Sequence, residues 1–255
     1  MSASWLGLMI GNSRLHWAWF EAETLYSCDT AHLSVAQIAC LTTQLDFTAC
    51  GLDWPEITPP PALPLWLASV VPAQTALWQA YPETQVITLD QVPLAGLYPT
   101  LGIDRALALL GAVKGYGAPC LVIDAGTALT FTGADAQSQL IGGAILPGLR
   151  LQLRALGDHT AALPQLITHP PNLPSRWSRS TSDAILSGVL HSLLAGLRDF
   201  VAAWQLQHPD SAILITGGDA ALLINLLAQQ APELAAQIRL DLQLVFQGMQ
   251  QIAKS

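Results

Sequence analysis

The chain has 255 residues, 51% of them apolar and only 11% charged, with a formal net charge of −8. That length suits one large domain or two small ones, and the low charge excludes nucleic acid as an expected partner, since phosphate neutralisation supplies most of that affinity. No apolar run reaches the ~18 or more residues of a membrane helix and no basic-then-apolar leader opens the chain, so the expectation is a soluble cytoplasmic protein that does not bind membranes.

Trp5–Ile10, Leu15–Phe20 and Leu25–Thr30 read as three strands, with Gly11-Asn12-Ser13-Arg14 as the turn between the first two. Gly11 and Asn12 tolerate positive φ and Ser13 adds a hydroxyl, so this turn can cradle a phosphate or can be only a turn. Helical spacing follows over Ser34–Leu45, then a proline-rich loop at Asp53–Pro64. Leu65–Val71 reads as a buried strand, Ala73–Ala80 as a short helix and Gln85–Leu89 as a short strand, which completes an α/β unit. Cys28, Cys40, Cys50 and Cys120 show no paired spacing, so neither zinc nor a disulfide framework is expected.

Gly102-Ile103-Asp104-Arg105 leads into a helix over Ala106–Lys114. An acid near a helix start is favoured by the dipole, so Asp104 reads as a cap of low pKa. Arg105 beside it adds an anion-binding fork that capping does not require, which keeps a proton-acceptor role open for Asp104.

The stretch Leu121–Thr130 follows: an apolar run broken by Asp124, then Gly126-Thr127, then a second β-favouring run. This predicts two strands joined by a tight turn that carries an acid and a hydroxyl. A carboxylate at a buried strand end needs a cation or hydrogen-bond partner, though a satisfied Asp in a plain hairpin fits as well. Gln139–Leu146 with Gly142-Gly143 reads as a further strand, and Pro147 is expected to open a helix over Gly148–Leu156. A second proline-rich stretch, Pro164–Trp177, precedes the cap Ser180–Asp183 of a long helix, Ala184–Gln207. That helix is apolar on nearly every face, which suggests burial against its own domain and a partner subunit. Ala212–Thr216 with Gly217-Gly218 reads as strand and turn before another helix, a natural nucleotide position, and Leu240–Phe246 as a closing strand or buried segment. The second half repeats the order of the first. Two related lobes are expected, 1–115 and 116–255, with the ligand in a cleft between them.

Gly11-Asn12-Ser13-Arg14, Gly102-Ile103-Asp104-Arg105, Asp124-Ala125-Gly126-Thr127, Gly142–Gly148, Thr160–Pro164 and Thr181–Gly188 stand in the order found in type III pantothenate kinases. Across roughly residues 5 to 250 the chain resembles that family. The resemblance implies an α/β fold of two duplicated actin-like (ribonuclease H-like) lobes, a homodimer, and ATP-dependent phosphorylation of pantothenate in coenzyme A biosynthesis. By position it implies Asp104 as the proton acceptor, with Gly102, Ile103, Arg105, Tyr98 and Thr181 as further pantothenate contacts, Thr181 acting across the dimer. It implies Gly11, Asn12, Ser13, Arg14, His16 and Thr127 as ATP contacts, and Asp124 as ligand of a monovalent cation, K+ or NH4+, beside the Mg2+ that accompanies ATP.

The residues agree with such chemistry. The chain contains no GxxxxGK[ST], so phosphate charge must be met by backbone N–H groups, hydroxyls and metal ions. The resemblance breaks at two places: Met9 stands where the family motif has Asp, and Thr132 where it usually has a second Asp. Two readings therefore stay open, an active kinase and a weak or inactive relative kept for binding or regulation.

Overall fold

The computed structural model describes residues 4–22, 24–50, 59–166 and 171–254. The chain forms two compact units, one of Met1–Pro93, Leu97–Gly111 and Val245–Ser255, the other of Leu94–Gly96 and Ala112–Leu244. The units interleave along the chain and do not divide it at a single point.

In the first unit β1 (Trp5–Ile10), β2 (Leu15–Glu21) and β3 (Thr24–Thr30) form an antiparallel meander, followed by α1 (Val35–Gln44). Then come β4 (Leu65–Ser69), α2 (Pro72–Trp78), β5 (Thr84–Val86) and α3 (Ile103–Tyr116). The sheet order is β3-β2-β1-β4-β5, with β4 parallel to β1 and β5 parallel to β4. β1 lies at the centre and is covered on both faces, so Leu6 to Ile10 are all buried, whereas the edge strand β3 alternates with solvent. Trp17 anchors this core, meeting Phe47 and Trp78 edge-on at 5.3 Å between ring centroids.

The second unit contains β6 (Cys120–Ala125), β7 (Ala128–Ala134), β8 (Leu140–Pro147), α4 (Leu149–Asp158) and α5 (Thr181–Gln207). β9 (Ala212–Thr216), α6 (Ala220–Gln230), α7 (Pro232–Ala235) and β10 (Ile238–Leu240) follow. Read from its outer meander strand, its sheet is β8-β7-β6-β9-β10 with the same parallel and antiparallel pairings as the first. The doubling read from the sequence is thus present strand by strand. α8 (Leu244–Ala253) closes the chain, and Gly248 on it lies so close to α3 that a Cβ would overlap the Leu107 carbonyl.

α5 is long and apolar enough to cross a membrane by length and composition alone, with a mean hydropathy of 1.4 in its most apolar window. Its buried residues, Ile185, Val189, Leu190, Leu193, Leu194, Leu197 and Val201, line the core of the second unit, which accounts for much of that apolarity.

Four expectations need correction. Pro147 ends β8 and does not open α4; Gly148, in extended backbone, is the N-cap. Leu240–Phe246 is the end of β10 followed by the start of α8, because the later apolar residues continue at helical spacing through Met249 and Ile252. Gln85–Leu89 is not one strand: β5 stops at Val86 and a single 3-10 turn, Leu89–Gln91, follows. Cys40 and Cys50 are joined as a disulfide, since the chain reverses after α1 and brings their Cα atoms to 5.8 Å. The loop read over Asp53–Pro64 lies outside the described residues up to 58, as does 167–170 of the stretch read over Pro164–Trp177.

Candidate active site

The first turn is set by its hairpin. Gly11 N–H donates to the Arg14 carbonyl at 3.0 Å, which leaves Asn12, Ser13 and Arg14 exposed at the tip. His32 binds the Asn12 carbonyl oxygen from the side at 3.3 Å. His16, on β2, is bound through Nδ1 to Asp29 Oδ1 at 2.7 Å, and its Nε2 would lie 3.5 Å from a Cβ on Gly11. Burial raises the Asp29 carboxyl, but the hydrogen bond from His16 and the charges of His16 and Arg14 outweigh it and hold the group below its ordinary value. Asp29 is therefore an anion at neutral pH. The neighbouring Cys28 thiol is pushed up to about 11 by burial and by Asp29, so it is not a nucleophile there.

At the start of α3 the Asp104 carboxylate folds back on its own helix, accepting from Arg105 N–H at 2.8 Å. Gly102 is required here by space: a Cβ would overlap Asp104 Oδ1. Arg105 is only 7% exposed, and its Nη1 donates to the Tyr98 hydroxyl at 3.1 Å. The low pKa expected for Asp104 is overturned. Burial raises it above the ordinary value, and the Arg105 N–H, the Arg105 charge and His16 only partly oppose that. A cavity of about 570 Å³ adjoins this helix start, lined by Ser69, Val70, Thr75, Ile87, Leu101 and Gly102 among others. So the first unit gathers Gly11, His16, Asp104, Gly102, Arg105 and Tyr98 of the residues read from sequence.

The second turn is built around Asp124, the half-buried carboxylate at the end of β6. Gly126 N–H donates to the Ala128 carbonyl at 3.1 Å, and Gly148 N–H to the Thr127 carbonyl at 2.9 Å. Gly217, at φ +93°, touches the turn so closely that a Cβ would overlap Asp124 Oδ1 and sit 2.6 Å from the Ala125 carbonyl carbon. Gly148 is as close to Gly126 and Thr127 on the other side. In register, Asp124 is flanked by Thr130 on β7 and Thr216 on β9, both buried hydroxyl residues. Thr127 itself is exposed.

Two functional candidates escaped the sequence reading. Asp219, the N-cap residue of α6, donates its N–H to the Ala125 carbonyl at 2.9 Å and accepts Arg150 Nε at 3.1 Å. Asp219 is 6% exposed and Arg150 54%. The pair ties α4 and α6 to the Asp124 turn, and its only sequence signal was an acid at a helix start. Thr181 is exposed at the first turn of α5, in the second unit, while Tyr98, Gly102 and Arg105 belong to the first. Thr132 is buried in mid-β7 opposite Val122 and Gly143.

What the two turns can do follows from their donors. The first carries a serine hydroxyl and an arginine, the second a threonine hydroxyl and a carboxylate of the kind that binds a cation, and α3 adds a half-buried carboxylate able to take a proton. Among the described residues no three His, Cys, Asp or Glu side chains cluster as a metal cage.

The family described as type III pantothenate kinase matches residues 5–203. A type III pantothenate kinase from Nostoc sp. is 50% identical over 97% of this chain and 94% of its own length. One from Synechocystis sp. is 46% identical over 96% of this chain and 88% of its own. Among solved structures, a protein described as a Baf family transcriptional activator from Campylobacter jejuni matches with a TM-score of 0.63 at 19% identity, over 98% of this chain and 97% of its own. The activator of the 2-hydroxyisocaproyl-CoA dehydratase from Clostridium difficile matches at 0.53 and 11% identity, over 98% and 96%. At such identities the likeness is one of fold, and the fold is the doubled actin-like one.

Proposed function

The chain belongs to the type III pantothenate kinase family, and we propose on that premise that it transfers the γ-phosphoryl group of ATP to the hydroxyl of pantothenate, giving 4'-phosphopantothenate and ADP. The observation that carries this reading is the helix start at Gly102–Arg105: a half-buried carboxylate of raised pKa beside a buried guanidinium already fixed by Tyr98. Phosphoryl transfer depends mainly on alignment and charge neutralisation. Asp104 orients the pantothenate hydroxyl and accepts its proton as the new O–P bond forms and the bond to the β-phosphate oxygen breaks. Burial of Asp104 brings its proton affinity closer to that task than an exposed carboxylate would offer. Arg105 supports the substrate carboxylate through its donor fork, and the cavity beside Gly102 suits the apolar arm of pantothenate. Thr181 completes the substrate contacts from a partner subunit.

Gly11, Asn12, Ser13, Arg14 and His16 in one turn, and Thr127 in the other, meet the phosphates of ATP. Asp124 and its flanking Thr130 and Thr216 form a hard-oxygen set that fits a cation, and we assign it K+ or NH4+. Met9 offers no oxygen, so the first turn does not fit Mg2+, which enters with the phosphates themselves. A bound cation would neutralise charge on the phosphates. The kinase acts as a cytoplasmic homodimer without nucleic acid or membrane. Low charge, the exposed Trp177 (87%) and the small exposed residues Ala184, Gly188, Ser192 and Ala195 along α5 favour the pairing of two copies.

The experiment is ATP consumption with pantothenate, Mg2+ and K+. Pantothenate-dependent turnover is expected, lowered when Na+ replaces K+; its absence in the unsubstituted protein would sink the kinase reading. Sedimentation at micromolar concentration checks the dimer, and a monomer would remove Thr181 from the substrate set.

A further inference from the structure

The first turn lacks the carboxylate that its duplicate carries, and the structure sets another group beside the gap. β1 and β6 are each six residues, each central in its sheet, and each ends one residue before its turn glycine. In that alignment Met9 stands where Asp124 does, and Gly11 where Gly126 does. Met9 is buried and uncharged. Its partner on β2 is His16, and the partner of His16 on β3 is Asp29. Met9, His16 and Asp29 therefore form one row across three adjacent strands, with side chains on the same sheet face. The acid has moved from the central strand to the edge, and an imidazole stands between it and the turn.

The row has a direction. Asp29 holds Nδ1 at 2.7 Å, which fixes the ring and makes Nδ1 the donor toward the carboxylate. Nε2 is left on the side of Gly11, which has no Cβ to obstruct it. Asp104, on α3 of the same unit, is close enough to respond to the charge of His16. An anion arriving at this turn therefore meets the Nε2 edge of an imidazole whose other nitrogen is held by an aspartate, flanked by the exposed Arg14.

We propose that His16 donates through Nε2 to the triphosphate of ATP at the first turn, and that Asp29 is the positioning residue that holds it there. This inference rests on the kinase reading and adds Asp29 and the direction of the His16 ring to it. The pair takes the place of the acid that Asp124 supplies in the second unit, with an imidazole nitrogen in the row where that unit has a carboxylate.

The test uses the full chain with Asp29→Asn, which keeps size and an acceptor oxygen, and with His16→Gln. A charge-assisted donor lost to phosphate is worth about ten- to a hundredfold in affinity, so His16→Gln is expected to raise KM for ATP by that factor. Asp29→Asn is expected to raise it about three- to tenfold, leaving KM for pantothenate within about twofold. Nuclear magnetic resonance of 15N-histidine protein supplies a readout without turnover: titration with a non-hydrolysable ATP analogue should move the His16 Nε2 resonance, and Asp29→Asn should weaken that response. A rise in both KM values together would mean a merely structural role and overturn the proposal. So would an unmoved His16 resonance in the unsubstituted protein, whether or not the variants fold. An unsubstituted protein that binds the analogue through His16 yet phosphorylates no pantothenate would overturn the kinase reading instead.

Discussion

In the first unit the row that crosses the turn reads Met9, His16, Asp29, and in the second it reads Asp124, Thr130, Ile145. The backbone beneath is the same: two hairpin strands, a turn opened by glycine, and a parallel strand on the far side. The second turn is closed in by Gly126, Gly148 and Gly217, so backbone packs directly on the carboxylate. The first is held by side chains, His16 and His32, and its tip is exposed. The backbone pairing is common to both units, while the acid stands on the central strand in one and on the edge strand in the other. A missing motif acid therefore says less about activity than the row in which it is missing.

The largest expected effect bears on the group that neither turn supplies. Asp104→Asn should lower pantothenate turnover by about 10²–10⁴-fold, measured by coupled ADP release. The same substitution should raise the melting temperature at pH 7. As pH rises past the unfolded value of 3.8, the unfolded chain loses this proton first and the folded chain keeps it, because burial has raised its pKa. Over that window the folded state binds more protons, so stability falls with pH, and above it the full cost remains. An uncharged amide removes that cost. For the same reason the acid limb of kcat/KM should lie above the ordinary carboxylate range, and a limb at that range would mean another group is being titrated.

The packing contrast between the turns is sharpened by two glycines. Gly217→Ala combines a positive φ with overlap on Asp124 and should cost about 3 kcal/mol in chemical denaturation. Gly11→Ala should cost less than about 1 kcal/mol, since the new Cβ would meet the Arg14 carbonyl oxygen at 3.3 Å and nothing nearer. Equal losses would break the comparison. A smaller effect is expected from Arg150→Ala, which leaves the buried Asp219 without its partner: about 1–2 kcal/mol, reduced because Arg150 is 54% exposed. That loss should be unchanged in a Gly11→Ala background, as the two sites lie in different units.

The strands of both meanders, the cap at Ser180 and the turn at Asp124 were legible because each rests on local pattern: apolar runs in strands buried on both faces, a hydroxyl residue before a helix, glycine after a strand. Asp104 was found in its place but given the wrong proton affinity. The helix dipole is visible in sequence, and the burial that outweighs it is not. α8 was missed since its first apolar residues follow β10 directly, and a short apolar run has no helical period of its own. Arg150 and Asp219 are 69 residues apart and Cys40 and Cys50 meet only after a chain reversal, so neither pair leaves a local trace. The row of Met9, His16 and Asp29 needs strand register, which spacing alone does not specify.

The contact between Gly248 and Leu107 has a consequence for the order in which the molecule can be made. Domains ordinarily fold in the sequence of their synthesis. Here residues 245–255 belong to the first unit, so every strand of the second is synthesised before α8. The helix that bears Asp104 stays uncovered along Leu107 until α8 is made. A chain interrupted before residue 245 would carry both turns but leave α3 uncovered along Leu107.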